Sequence, residues 1–235
     1  VKTLAGFHVT LVPRSAGLNM RSHPTSWTDM SNYVVHFTKG GTEKDDYATM
    51  MNIYWSCTLK PGRRFGIGKN KAPLSSEQGA VCFSEIPPGQ WNRLEERRGT
   101  KYGLAFSKQF VISQGGGPIW YAWKETPHWH ALQGMMDAAA KNPDAPVWRI
   151  TPMIDAPGTY GGRDYLFDWE REWRHVGPMS FEPEDVAFLL IPEEMHSAAK
   201  IFFEKAYKEH IGPAYFCPYV DPSWDRKRII DVLNT

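Results

Sequence analysis

The sequence predicts an α+β domain: a mixed, mostly antiparallel sheet with flanking helices. Three observations predict it. Short β-branched and aromatic runs, such as Tyr33-Val34-Val35-His36-Phe37, alternate with helical stretches instead of segregating from them. No regular βαβ rhythm and no G-x-G-x-x-G motif accompanies them, which argues against a doubly wound nucleotide fold. Glycines and prolines punctuate the junctions, yet no linker divides the chain. With 235 residues, 42% of them apolar, the chain suffices for one large core, and a single domain is expected over residues 32–235.

Each element has its own reason. Residues 33–37 read as a strand that Gly40-Gly41 breaks, and acids near Glu43 open a helix to Ser56. Lys60 to Ser76 is basic, Gly-rich and aperiodic, hence a long loop. Ala80–Ser84 is a strand stopped by Pro87-Pro88-Gly89, and Trp91–Arg98 a short charged helical turn. Tyr102–Ser107 reads as a strand, Phe110–Ile112 as its extended continuation, and Gly115-Gly116-Gly117 as a turn before a strand at Pro118–Ala122. A helix is expected over His128–Lys141, strand-like chain over Val147–Met153, a Gly-rich turn over Pro157–Arg163, and strands at Glu172–Val176 and Val186–Ile191. A helix from Pro192, with acids first and bases last, stops at Gly212-Pro213, and a last helix runs from Ser223 to Leu233.

Residues 1–31 are expected to be a polar leader, disordered or of non-native origin. Leu11-Val12-Pro13-Arg14-Ser15 has the look of a protease-site linker, and Met20 and Met30 are candidate starts.

Composition bounds the function. Lys plus Arg number 27 and Asp plus Glu 26, so the chain has no global charge for a dedicated nucleic-acid or membrane-surface protein, although a local basic patch is allowed. No apolar run reaches the roughly 18–20 residues of a spanning helix, so no membrane partner is expected. Cys57, Cys82 and Cys217 have neither metal spacing nor an even count, and read as reduced, buried thiols of a cytoplasmic protein.

The run Asp168-Trp169-Glu170-Arg171-Glu172-Trp173-Arg174 is the most informative stretch. If extended, it sets Glu170, Glu172 and Arg174 on one face and Trp169, Arg171 and Trp173 on the other. Paired carboxylates there suit hydroxyl binding and activation of a nucleophile or stabilisation of a cation; an edge strand with alternating charge and Arg–Glu pairing is the reading that the pattern alone favours. His36 and Thr38 share a face and present an imidazole and a hydroxyl, as a ribose or amide site would, or as a structural histidine would. Cys82 reads as core, and Ser84 and Glu85 at the strand's end as better placed for a ligand. His128-Trp129-His130 lacks the spacing of a zinc site, so no metal is expected. Arg63, Arg64, Arg93, Arg97 and Arg98 are candidate phosphate contacts, with solvated loop charges as the default.

The ordered set His36-Phe37-Thr38, Val81-Cys82-Phe83-Ser84-Glu85-Ile86-Pro87, Tyr102–Lys108, Pro118-Ile119-Trp120-Tyr121 and Glu170-Arg171-Glu172-Trp173-Arg174 resembles the AbiGi-type abortive-infection family of bacterial phage-resistance proteins, over roughly residues 33–191. The resemblance implies a role in phage defence within toxin–antitoxin-like systems. A looser resemblance is to the ADP-ribosyltransferase fold, including enzymes that modify DNA. It implies a split sheet and NAD as substrate, with Glu172 catalytic, Glu170 accessory and Tyr102 in the middle position. Ser84 is the other candidate for that position. His36, Phe37, Thr38 and Ser84 would then hold NAD, and the acceptor would be a nucleic acid or a protein. The alternative is a non-catalytic, antitoxin-like regulator that binds a cognate toxin.

Overall fold

The computed structural model describes residues 28–38, 42–160 and 162–234. The expected leader lies outside them up to residue 27. Residues 28–31 belong to the folded body, where the Asp29 carbonyl accepts from Arg171 Nη1 at 2.5 Å.

The central strands are β1 (Tyr33–Phe37), β2 (Arg63–Arg64), β3 (Gly79–Ser84), β4 (Gly103–Ser107), β5 (Gly117–Pro118), β6 (Glu172–Val176), β7 (Val186–Leu190) and β8 (Tyr219–Val220). They form one sheet in the order β8-β7-β4-β1-β3-β6-β5, and β2 also pairs with β3. Pairing is antiparallel except between β7 and β8, so the chain is α+β with a mixed, mostly antiparallel sheet. Apart from a single turn at Val147–Ile150, the α-helices among the described residues are α1 (Glu43–Ser56), α2 (Asn92–Arg98), α3 (Lys108–Ser113), α4 (Pro127–Ala138), α5 (His196–Lys208) and α6 (Arg226–Leu233).

Side-chain alternation divides the sheet into two faces. On the first, Val34, Val81, Phe83, Tyr102, Leu104, Phe106 and Trp173 pack with Met50 and Tyr54 of α1 and Phe203 of α5. Under the second, Val35, Phe37, Ala105, Leu190 and Val220 pack on Trp91 beside α2 and Ile229 of α6. That second core stops at β1. Across β3 and β6 the same face carries Cys82, Ser84, Glu172 and Arg174, because Val35 pairs with Ser84 and Ser84 with Glu172. The described register between β1 and β3 is the single pair Val35–Ser84. Next to it the His36 imidazole bonds the Cys82 carbonyl at 2.8 Å in place of further ladder. Small cores around Met136, Val147 and Trp148, and around Ala122, Leu132 and Ile154, build an accessory lobe from α4 and its flanking chain.

Three local expectations are corrected. Residues 110–112 are not extended but lie in α3, because the Ser107 hydroxyl caps the helix by accepting from the Phe110 N–H at 3.1 Å. Residues 147–153 are not a strand but a short helix followed by a 3₁₀ turn. Gln78 anchors them, donating to the Trp148 carbonyl at 2.9 Å and accepting from the Thr151 hydroxyl at 2.9 Å. Asp168–Glu170 is a 3₁₀ turn that ends at Arg171 with φ 45°, so Glu170 is not a strand neighbour of Glu172. The Gly115–Gly117 turn has a steric reason as well as a conformational one. A Cβ on Gly116 would press on Val111 and on the Arg174 carbonyl.

Candidate functional site

A cleft of about 800 Å³ opens where the apolar second face ends. Its floor is Cys82 of β3 and Glu172 and Arg174 of β6, and Glu170 joins them from the 3₁₀ turn. Arg97 and Arg98 of α2 close one side, and Phe65, Ile67, Tyr121, Trp129 and Asp155 line the other. Gly66 lets the Phe65 loop seat tightly there, since its φ is +79° and a Cβ would overlap the Thr151 carbonyl.

The floor is a fixed ion-pair network. Arg174 is fully buried and grips Glu172 with two bonds, Nε to Oε1 at 2.8 Å and Nη2 to Oε2 at 3.1 Å. Its remaining donors meet Asp155 Oδ2 at 2.6 Å and the Pro152 carbonyl at 2.7 Å, and its plane lies 4.8 Å from the Phe65 ring centre. This bidentate grip is the strong form of a charge-assisted bond. Glu170 is buried, takes Arg98 Nη2 at 2.5 Å, and has the Ser84 hydroxyl and Arg97 Nε each at 3.5 Å. Tyr121 buttresses the strand end: its hydroxyl accepts from the Glu172 N–H at 3.4 Å and donates to the Phe167 carbonyl at 3.1 Å.

Charge is distributed unevenly across the cleft. The carboxylates Glu170 and Glu172 lie on the floor with Arg174, Asp155 and Arg98 face each other from the two sides, and Arg63, Arg64, Lys69, Lys124 and Arg97 stand around them. Seven cationic side chains thus face three carboxylates, although the whole chain is nearly neutral with a net charge of +1. Aromatic rings interleave with these cations: Arg63 lies 4.7 Å from the Phe65 ring centre, and Arg97 4.4 Å from that of Phe167.

The residues singled out in the sequence fall on both sides of the sheet. Glu172, Glu170 and Ser84 come together at the cleft floor. His36 and Thr38 alternate with Val35 and Phe37, so they face the first core, away from Ser84 and Glu172. Thr38 is buried with its hydroxyl 3.2 Å from the Tyr102 carbonyl, and Phe37 packs in the second core. Tyr102 is also on the first face, with its hydroxyl donating to Met195 Sδ at 3.3 Å. Glu85, expected to meet a ligand, is instead buried in an ion pair with Lys108 at 2.5 Å, and its other oxygen accepts from Trp173 Nε1 at 2.8 Å. Cys82, expected in the core, lines the cleft, and Phe83 takes the core position. Of the candidate phosphate contacts, Arg63, Arg64, Arg97 and Arg98 reach the cleft. Asp155, Tyr121, Phe65 and Trp129 were not singled out as site residues in the sequence, because they meet only in the fold: Trp129 comes from α4, Tyr121 and Asp155 from a pair of short parallel strands, and Phe65 from the chain after β2.

Burial sets the titration behaviour around the site. It pushes the Cys82 thiol well above its usual range, and the Glu172 charge adds to the effect. Burial likewise raises Cys57, and Cys217 to about 12. All three are thiols, not nucleophilic thiolates, at neutral pH. Ellman's reagent at pH 8 is therefore expected to titrate them slowly in the native protein and fully in urea; fast native labelling of Cys82 would contradict this.

His36 is held at about 4, against an ordinary 6.5, first by burial; its bond to Cys82 opposes this shift and the Arg98 charge reinforces it. The neutral ring donates from Nδ1 to the Cys82 carbonyl. Because the unfolded chain binds the proton first, this group contributes stability above pH 6.5 that is lost as pH falls towards 4, about 3 kcal/mol in all. Urea denaturation at pH 7, 6 and 5 is expected to show this loss, and His36→Gln to flatten it. Equal slopes in the two proteins would contradict the assignment.

Among the described residues no helix is long and apolar enough to cross a membrane, and no group of three or more His, Cys, Asp or Glu is placed to hold a metal ion. His128 and His130 lie on exposed turns of α4, His128 Nε2 bonding the Thr126 hydroxyl at 3.0 Å. Comparison of the chain with family models, with curated proteins and with solved structures finds no match.

Proposed function

We propose that the cleft binds NAD and transfers its ADP-ribose, as an ADP-ribosyltransferase-like enzyme acting in phage defence. The observation that carries this reading is the charge layout: a rigid carboxylate floor beneath a cationic, aromatic-lined surround. NAD matches that layout in chemistry. Its pyrophosphate suits Arg63, Arg64, Lys69 and Lys124, its rings suit Phe65, Tyr121 and Trp129, and its nicotinamide ribose becomes cationic at the reacting carbon. Glu172, already fixed by Arg174, would stabilise that charge without reorganising.

The step is a displacement at the ribose C1′. The C1′–N bond breaks, and nicotinamide leaves as a neutral molecule with the bonding pair. The acceptor's lone pair forms the new bond to C1′, and the acceptor's proton passes to Glu170, the second floor carboxylate. Ser84, 3.5 Å from Glu170, would orient it. The ribose-holding part that the resemblance gives to His36 and Thr38 is reassigned here to cleft residues, because the sheet separates that pair from Glu172.

Release of nicotinamide from NAD by the purified chain, followed chromatographically, tests the reading. Turnover above the spontaneous rate is expected, and none with any acceptor present would refute it. A second reading draws on a different observation. Both floor carboxylates are held in ion pairs, Glu172 with Arg174 and Glu170 with Arg98, as purely structural carboxylates would be. On that reading the domain is a non-catalytic, antitoxin-like regulator of a cognate toxin, and a nanomolar protein partner with no NAD effect on thermal stability would favour it.

A further inference from the structure

Beside the cleft runs an open groove of about 450 Å³ lined by Arg93, Glu96, Arg97 and Trp169. We infer that it is a track for single-stranded nucleic acid, which makes such a strand the acceptor of the transferase proposed above. The inference rests on that reading for the purpose of the track but not for its binding.

Arg97 lines both the groove and the cleft, so a strand lying in one leads into the other. Arg93 and Arg97 stand four residues apart on α2 and present their guanidiniums along one helix face. Glu96 opposes an anionic ligand, but two arginines outweigh it at the groove and the basic surround of the cleft continues beyond.

The ring of Trp169 is the second feature. It is 36% exposed although large and apolar, and it sits on the 3₁₀ turn whose neighbour Glu170 is anchored by Arg98. The Arg97 guanidinium lies 5.9 Å from its centre and 4.4 Å from that of Phe167. Exposed Tyr165 continues this aromatic ridge toward the cleft, which it helps to line.

An exposed ring beside guanidinium groups is what an unpaired base requires: a flat face to lie on and a cation for the adjoining phosphate. A duplex keeps its base faces covered and so gives this ring nothing to stack on. An acidic peptide satisfies the arginines and leaves the ring unused. The chain's near-neutral total does not oppose this, because the field at the groove comes from placement and not from net charge.

The test is fluorescence anisotropy without NAD, using labelled oligothymidylate and oligouridylate of about 15 nucleotides. Binding is expected to weaken with salt at a log–log slope of about −2, as for roughly three phosphate contacts on a single strand. Trp169→Ala and Arg93→Glu are each expected to weaken it about tenfold, and a duplex of equal length to compete poorly. Wild-type affinity in both variants overturns the inference. So does equal competition by the duplex or by polyglutamate, the latter indicating a protein acceptor, and so does absence of binding. Circular dichroism checks each variant's fold; if Trp169→Ala fails to fold, Arg93→Glu, a change on the exposed face of α2, decides alone. Absence of nicotinamide release with oligonucleotide binding intact overturns the cleft reading alone, and the reverse result overturns the track alone.

Discussion

Glu172→Gln is expected to cut nicotinamide release by about a hundredfold to a thousandfold, as removal of one preorganised charge-stabilising group does in other enzymes. The variant keeps the size of the side chain and one acceptor oxygen, and it removes the negative charge. Arg174 retains Asp155 at 2.6 Å and the Pro152 carbonyl at 2.7 Å, so its buried charge is still compensated. The new amide brings a donor towards a guanidinium donor, and a stability loss of about 1–3 kcal/mol is expected from that mismatch. Release should be measured where the variant is folded, as judged by its urea midpoint. Wild-type turnover in a folded Glu172→Gln protein would remove Glu172 from the chemistry.

Lys108→Met is expected to destabilise the fold by about 3–5 kcal/mol, because it strands a buried carboxylate. Glu85 and Lys108 are both almost fully buried and bond each other at 2.5 Å. Trp173 fills the second oxygen of Glu85 at 2.8 Å, so both carboxylate oxygens are bonded within the protein. The pair ties the end of β3 to the start of α3, and through Trp173 to β6, the strand that carries Glu172. The double variant Lys108→Met/Glu85→Gln should recover much of the loss, since glutamine still offers Trp173 an acceptor and carries no charge. Urea denaturation of the two single variants and the double variant measures the coupling. A cost below about 1 kcal/mol for Lys108→Met would mean that the pair is solvated.

The strands were legible because their local chemistry and their burial agree. Tyr33–Phe37 and Glu172–Val176 fold over the bounds their side chains suggest. The same holds for α1, where the Thr42 hydroxyl caps the helix by accepting from the Asp45 N–H. Phe110–Ile112 misled because their β propensity yields to a cap at Ser107. Val147–Met153 misled because Gln78, about seventy positions away, satisfies their backbone.

At the site, Glu172, Glu170 and Ser84 were within reach of sequence reasoning, but their arrangement was not. A period of two assigns faces within a strand, and only cross-strand register relates one strand to another. The pair Val35–Ser84 is what sets His36 and Thr38 on the face opposite Glu172. The left-handed turn at Arg171 likewise breaks the alternation that would have joined Glu170 to Glu172. Asp155 and Phe65 converge on Arg174 from segments far apart in the chain, and no local pattern marks such a meeting.

Calorimetric titration of the purified chain with NAD, with Arg64→Glu as the comparison, addresses the cleft most directly. The proposed site predicts saturable one-to-one binding that the charge reversal weakens at least about tenfold and that salt also weakens. No heat of binding, or equal binding by both proteins, would contradict a dinucleotide site in this cleft.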